Sequence, residues 1–197
     1  MHQSARDFTL YAKQVCPVFF TGVTCLDAGG GDINGNNSSL FENSEYHCND
    51  VYRAPNVTVV CRNAELPFND GHFDTVISTE SFEHDPEYKE SLSAITRKLK
   101  PGGLFVFTCA STGRAEHGTR RTTPSDSWGT VAQFEDMQDY YKNLTITDVR
   151  DSGILEEYEW ARAYYSKTAH DLYFIAKKKG GDTVPPPIDY TGATRVY

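Results

Sequence analysis

Residues 25–37 read CLDAGGGDINGNN: an apolar run ends in the acid Asp27, the glycines Gly29, Gly30 and Gly31 follow, and an asparagine-rich stretch takes over. The run VTCLD (23–27) reads as a short buried strand, so the glycines stand at its carboxyl end. In an open α/β sheet ligands sit beyond that end, beside the point where the strand order reverses. Glycine there lets a neighbour approach the backbone and lets the chain take a positive φ. The phosphate-binding loop of dinucleotide folds needs Gly-x-Gly-x-x-Gly. Gly29 and Gly31 fill its first two places, but Asn34 stands at the third and Gly35 comes one residue late. A carboxylate at Asp27 repels a nearby pyrophosphate and attracts an ammonium group. The loop therefore points to a ligand that carries an amine and no phosphate.

Outward from this loop, strands and helices alternate. A helix opens the chain, with Ser4 and Asp7 at capping-box spacing and Phe8, Ala12 and Val15 on one face. EYHCND (45–50), NVTVVCR (56–62) and residues 73–79 read as three more strands, the last entered through an Asn-Asp-Gly turn. INGNNSSLFEN is a poor helix former, so the first crossover helix is expected to be short or distorted. Asp85 and Pro86 suit the start of the next helix, whose stripe Tyr88, Leu92, Ile95 and Leu99 faces a core. KPGG ends that helix, and LFVFTCA (104–110) is apolar on both faces, as a central parallel strand requires. Residues 110–130 form a long polar loop. FEDMQDYYKN reads as a helix, and Thr145 with Asp148 caps a short one after it. EEYEWARAYYS and AHDLYFIAKKK read as a closing hairpin, and the Gly/Pro-rich residues 180–197 as a loose tail after a single domain, 1–179.

Two further residues sit where a nucleoside needs them. Asp50 ends the second strand, where an acid commonly takes the two hydroxyls of a ribose. Asn63, after the third strand, offers a donor and an acceptor to an adenine edge. Together, LDAGGGD, the strand-ending Asp50, NAELPFNDGHFDTVISTESFEH and LKPGGLFVFT have the order and spacing of class I S-adenosylmethionine-dependent methyltransferases. Residues 20–110 resemble most the small-molecule methyltransferases grouped as type 11. The resemblance implies a Rossmann-like, doubly wound, mostly parallel sheet of seven strands with a C-terminal antiparallel hairpin. It implies S-adenosyl-L-methionine as cofactor, with Asp27, Ala28, Gly29 and Gly31 at its methionine end. Asp50 and Val51 would hold the ribose, Asn63, Ala64 and Glu65 would flank the adenine, and Thr79 and Glu80 would close the pocket. Phe82 stands either against the sulfonium or in the core. Two departures are visible: Ile33 replaces the family's third glycine, and Asn63 stands where Asp is usual.

A sulfonium is already a reactive methyl donor, so the protein has mainly to align an acceptor and exclude water. A hydroxyl acceptor also needs a base. His84 follows the fourth strand beside Glu83 and Asp85, whose charges are expected to raise its pKa; packing or helix capping is its other reading. His117 is its rival, in the long loop with Arg114, Arg120 and Arg121. That basic, hydroxyl-rich lid points to an anionic or sugar-like acceptor, against which Trp128, Tyr140, Tyr141 and Tyr165 would stack.

The net charge of −8 disfavours broad nucleic-acid binding, which needs clustered bases. No apolar run is long enough to cross a bilayer and the first residues lack a signal-peptide layout, so a cytoplasmic protein is expected. The five cysteines form no Cys-x-x-Cys pair, and neither a zinc site nor a disulfide framework is expected. Two other readings remain open. One is an NAD-linked oxidoreductase on a similar sheet, opposed by Asn34 and the closing hairpin. The other is a non-catalytic member of the fold, since fold does not fix function.

Overall fold

The computed structural model describes residues 2–33 and 35–197; Asn34, at the third fingerprint place, lies outside them. One sheet runs through the molecule. Its parallel part comprises β1 (Thr24–Ala28), β2 (Glu45–Asp50), β3 (Val59–Val60), β4 (Phe73–Thr79) and β5 (Leu99–Ala110). β6 (Tyr158–Ser166) and β7 (Asp171–Lys178) form the expected hairpin, and β8 (Thr194–Arg195) is a short addition. The order β3-β2-β1-β4-β5-β7-β6-β8 reverses direction between β1 and β4. Among the described residues the sheet therefore has eight strands rather than seven: β8, from the segment expected to be loose, pairs antiparallel with β6.

Period-two burial decides the layers. Leu104 and Val106 of β5, with Tyr173 and Ile175 of β7, pack under α1 (Gln3–Val15) through Phe8, Tyr11 and Ala12. Phe105 and Phe107, with Phe174 and Ala176, pack on the other face against Leu92 and Ile95 of α2 (Tyr88–Lys98). The rings of Phe107 and Phe174 stack at 4.8 Å. Each fully buried Phe contributes about 1.5–3 kcal/mol to the fold. The stripe Tyr88, Leu92, Ile95, Leu99 is buried as expected.

Several local expectations are corrected. α1 starts without the Ser4–Asp7 box: His2 is its N-cap, and its ring bonds the Ser4 hydroxyl at 2.8 Å. α2 starts at Tyr88, because Asp85 instead accepts from the Glu87 backbone N–H and the Ser91 hydroxyl in the preceding turn. FEDMQDYYKN forms turns, not a helix. Its acids are drawn outward, Asp136 by Arg62 and Asp139 by Arg120, and so short a segment gains too little from its own hydrogen bonds. The first crossover keeps only a 3-10 turn, Ser38–Leu40, where the Asp32 and Asn36 side chains bond the backbone in place of a helix. β3 is two residues long, since Asn56 and Thr58 spend their side chains on Gly30 and Cys48. The long loop contains α3 (Trp128–Val131), and α4 (Ile146–Asp151) carries the expected Thr145–Asp148 capping box. The tail is docked: Tyr190 meets Phe8 and Tyr11 at 5.3 and 4.9 Å, and the Ile188 and Val184 carbonyls accept from Tyr11 and Trp160.

Candidate active site

The carboxyl ends of β1, β2 and β4 open into a cleft of about 230 Å3, walled on the far side by the loop after β5. The glycine loop forms its floor, and its close neighbours are the protein's own side chains. Gly29 has φ +65°, and a Cβ there would lie 2.0 Å from the Ser81 hydroxyl. At Gly30 a Cβ would meet the Asp27 carboxyl at 2.4 Å; at Gly31 it would meet Asp50 at 2.6 Å and the Trp128 indole at 2.7 Å. The loop is thus held between three functional candidates.

Asp27 is fully buried. Its carboxylate accepts from Tyr46 at 2.6 Å and from the Asn37 amide at 3.1 Å, so it anchors the loop while lining the cleft. Burial pushes its carboxyl up, against those bonds. Asp50 accepts from the Gly31 N–H at 2.9 Å and the Val51 N–H at 2.7 Å, and burial raises it to about 6. Each oxygen keeps a lone pair for a hydroxyl donor. Asn63 Oδ1 accepts from the Asn49 amide N–H at 2.9 Å, leaving its own amide N–H groups for a ligand.

Val51, Thr79 and Glu80 also line the cleft, whereas Ala28, Ala64 and Glu65 do not. Ala28 is packed in the core beside Leu26. Phe82 takes the core position of its two readings, edge-on to Phe107 at 5.2 Å. Thr79 accepts from Asn37 at 3.2 Å. Glu80, at φ +55°, accepts from Thr108 at 2.7 Å and pairs with His2 at 2.8 Å. Burial opposes ionisation of Glu80, but the His2 bond and charge hold it below the usual range.

On the acceptor side the structure brings together His84, His117 and Tyr141. The imidazoles meet edge to face at 5.0 Å, and Tyr141 stands 5.0 Å from His117 and 5.7 Å from His84. His84 and His117 line the cleft; Tyr141 stands behind them. The expectation for His84 is reversed. Burial first, and His117 second, drive it down to about 3 against the charges of Glu80 and Asp126, and the adjacent Glu83 is itself fully buried and held well above the carboxylate range.

The basic lid is also rearranged. Arg120 pairs with Asp139, and Arg121 with Glu116 and Asp139, all at the surface and outside the cleft lining. Arg114 does line the cleft, but its guanidinium bonds Asp171 at 3.0 Å. Trp128, expected at the acceptor, lies instead against Gly31 and stacks on Tyr52 at 5.2 Å, with its indole N–H buried and without a partner. Tyr165 donates to the Thr112 carbonyl at 2.7 Å and does not line the cleft; nor does Tyr140. Sequence reasoning missed His2 and Ser81. Ser81 follows the fourth strand directly and was open to the same argument as Thr79; His2 carries no motif. Among the described residues no helix is long and apolar enough to cross a membrane.

A family model described as a methyltransferase domain matches residues 24–107. The phthiotriol/phenolphthiotriol dimycocerosates methyltransferase of Mycobacterium tuberculosis is 36% identical over 61 residues, 30% of this chain and 23% of that protein. Squalene methyltransferase 1 of Botryococcus braunii is 32% identical over 97 residues, 46% of this chain and 25% of that protein. The matched segments thus span about a quarter of these relatives' lengths. Among solved structures, 1,6-didemethyltoxoflavin-N1-methyltransferase of Burkholderia thailandensis, with bound 1,6-didemethyltoxoflavin and S-adenosylhomocysteine, superposes with a TM-score of 0.60 at 18% identity. It covers 89% of this chain and 79% of that one. That likeness establishes the fold, and the matched segment contains the glycine loop, Asp50, Asn63 and β4. By its fold, its loop order and this match, the segment 24–107 is similar to the methyltransferase domain of class I S-adenosylmethionine-dependent enzymes.

Proposed function

We propose that this chain moves a methyl group from S-adenosylmethionine to the hydroxyl of a small, uncharged, sugar-like acceptor. The cofactor half is carried by one observation: Asp50, at the end of β2, is aimed by the Gly31 and Val51 N–H groups so that its outer lone pairs face the cleft. The surroundings fit a nucleoside. Asn63 has free amide N–H groups for an adenine edge, and the unpartnered Trp128 N–H lies beside Asp50. When bound, the cofactor supplies an electrophilic methyl on a sulfonium. Asp27, Thr79 and Glu80 give its amino-acid end a polar, acidic wall.

The acceptor half follows from what is left unpaired. Arg114, Arg120 and Arg121 are each matched by a carboxylate, which removes the support for an anionic acceptor. His84 and His117 stand together at the cleft wall and offer an uncharged hydroxyl polar, hydrogen-bonding surroundings. The reading is tested by transfer of a labelled methyl group from S-adenosylmethionine to panels of polyols, amines and carboxylates. Labelled methyl ethers are expected. Transfer to amines alone would overturn the hydroxyl reading. Tight cofactor binding with no transfer to any panel would favour the non-catalytic reading.

A further inference from the structure

Behind the acceptor side of the cleft lies a group of side chains with unmet valence. Glu83 is fully buried, and neither carboxyl oxygen has a hydrogen-bond partner among the described residues. His84 is 6% exposed, and its Nδ1 has no partner either. A buried polar group left unpaired costs on the order of 1–3 kcal/mol, and more if charged. One ligand atom from each of Glu83, His84 and His117 can be chosen so that all lie within 4.8 Å of one another. Loop geometry brings them together. Gly118 has φ +67°, and a Cβ there would lie 2.6 Å from His84, so only glycine lets the His117 segment pack so closely. His117 turns its Nδ1 to the Ala115 carbonyl at 3.1 Å, which leaves Nε2 for a ligand. A backbone carbonyl on the far nitrogen is the usual support of a metal-bound imidazole.

We infer that Glu83, His84 and His117 bind a divalent cation of the zinc type. Two imidazoles and one carboxylate suit that ion, and three protein ligands leave a fourth position for water or substrate. His84 and His117 line the cleft, which gives the ion an entry path. The neighbouring group His2, Glu80 and Asp171 has similar spacing but no unmet valence. There Glu80 is bonded by Thr108 and His2, and Asp171 by Arg114. That group needs no ion.

The site stands independently of the methyltransferase reading; its role rests on that reading. A cation held by Glu83, His84 and His117 would polarise an acceptor hydroxyl and lower its pKa, and the proton would pass to water in the cleft. The acceptor oxygen then forms its bond to the methyl carbon as the methyl–sulfur bond breaks, giving a methyl ether and the neutral thioether.

The test uses untagged protein stripped with a chelator and titrated with Zn2+ against a chromophoric competitor, and with Co2+ by absorption. We expect about one Zn2+ per chain and a Co2+ spectrum of tetrahedral type without thiolate charge transfer, since the ligand set holds no cysteine. Glu83→Gln and His117→Ala should weaken Zn2+ by more than the ~10–100-fold that loss of a supporting partner costs. His72→Ala, which alters a separate histidine pair with His47, should change nothing. His117 is half-exposed on a loop, so its variant keeps the fold, as circular dichroism will register. Absence of stoichiometric Zn2+ in the wild type, or unchanged affinity in His117→Ala, overturns the site. Cofactor binding measured on the same samples reports separately on the methyltransferase reading.

Discussion

Asp50→Asn should make the ligand-free protein more stable and its hold on the cofactor weaker. Asp50 is 9% exposed, and burial lifts its carboxyl from the ordinary 3.8 to about 6. A folded-state pKa above the unfolded one lends stability below about pH 4 that is lost as pH rises through about 6. A displacement of this size corresponds to about 3 kcal/mol. Asn has no charge to desolvate. Its single amide oxygen, however, can serve only one of the N–H groups of Gly31 and Val51 that Asp50 now accepts. Losing the other costs about 1 kcal/mol. The net gain at neutral pH is therefore about 2 kcal/mol, or a rise of about 4–8 °C in Tm for a chain of this size. Near pH 4 the carboxyl is neutral too, and the variant should be the weaker by about 1 kcal/mol. Cofactor affinity should fall at least about tenfold, because a hydroxyl bond to a carboxylate exceeds one to an amide by about 1.4 kcal/mol or more. Scanning calorimetry at acid and neutral pH, with titration of S-adenosylhomocysteine, measures both effects. A lowered Tm at neutral pH, or an unchanged affinity, would refute the reasoning.

Other consequences are equally direct. Wild-type affinity for the cofactor should rise as pH passes upward through about 6 and then level off, since Asp50 must be ionised to accept both ribose hydroxyls; titration across pH measures this. Phe107→Ala removes a ring stacked on Phe174 and edge-on to Phe82, and should destabilise by about 3–5 kcal/mol in denaturant unfolding. Trp128→Phe should abolish the fluorescence response to the cofactor while Trp160→Phe keeps it, because Trp128 abuts Gly31 and Trp160 is buried beneath α1. Replacing Arg120 and Arg121 together by Ala should leave methyl transfer and cofactor affinity unchanged, as both are exposed and paired outside the cleft; a loss of transfer would return the loop to the acceptor site.

What was legible in the sequence follows from how local the cause was. β2 (45–50) and β4 (73–79) have the expected boundaries, and α2 buries the stripe that its spacing foretold. These signals are period and turn chemistry, which neighbours in the chain supply. The glycine loop was placed correctly but explained incompletely. Its glycines make room for Ser81, Asp27, Asp50 and Trp128, whose approach depends on the whole sheet. The failures share that origin. FEDMQDYYKN has helical spacing, but Arg62 and Arg120, distant in sequence, claim its acids. The docked tail depends on Tyr190 finding Phe8 and Tyr11. The acidic neighbours of His84 in the chain suggest a raised pKa, but the depth of His84 itself and the approach of His117 reverse the sign. Cysteine spacing speaks only to cysteine sites; the Glu83–His84–His117 group is brought together by the fold, from the turn after β4 and the loop after β5.

The central claim is that the cleft beside the glycine loop takes an adenosine-type nucleoside through Asp50. A crystal structure with S-adenosylhomocysteine tests it most directly. The account predicts both ribose hydroxyls on the Asp50 carboxylate, the adenine edge at Asn63 and the Trp128 indole moved from its place against Gly31. A nucleoside bound elsewhere, with Asp50 still bonded only to the Gly31 and Val51 N–H groups, would contradict it.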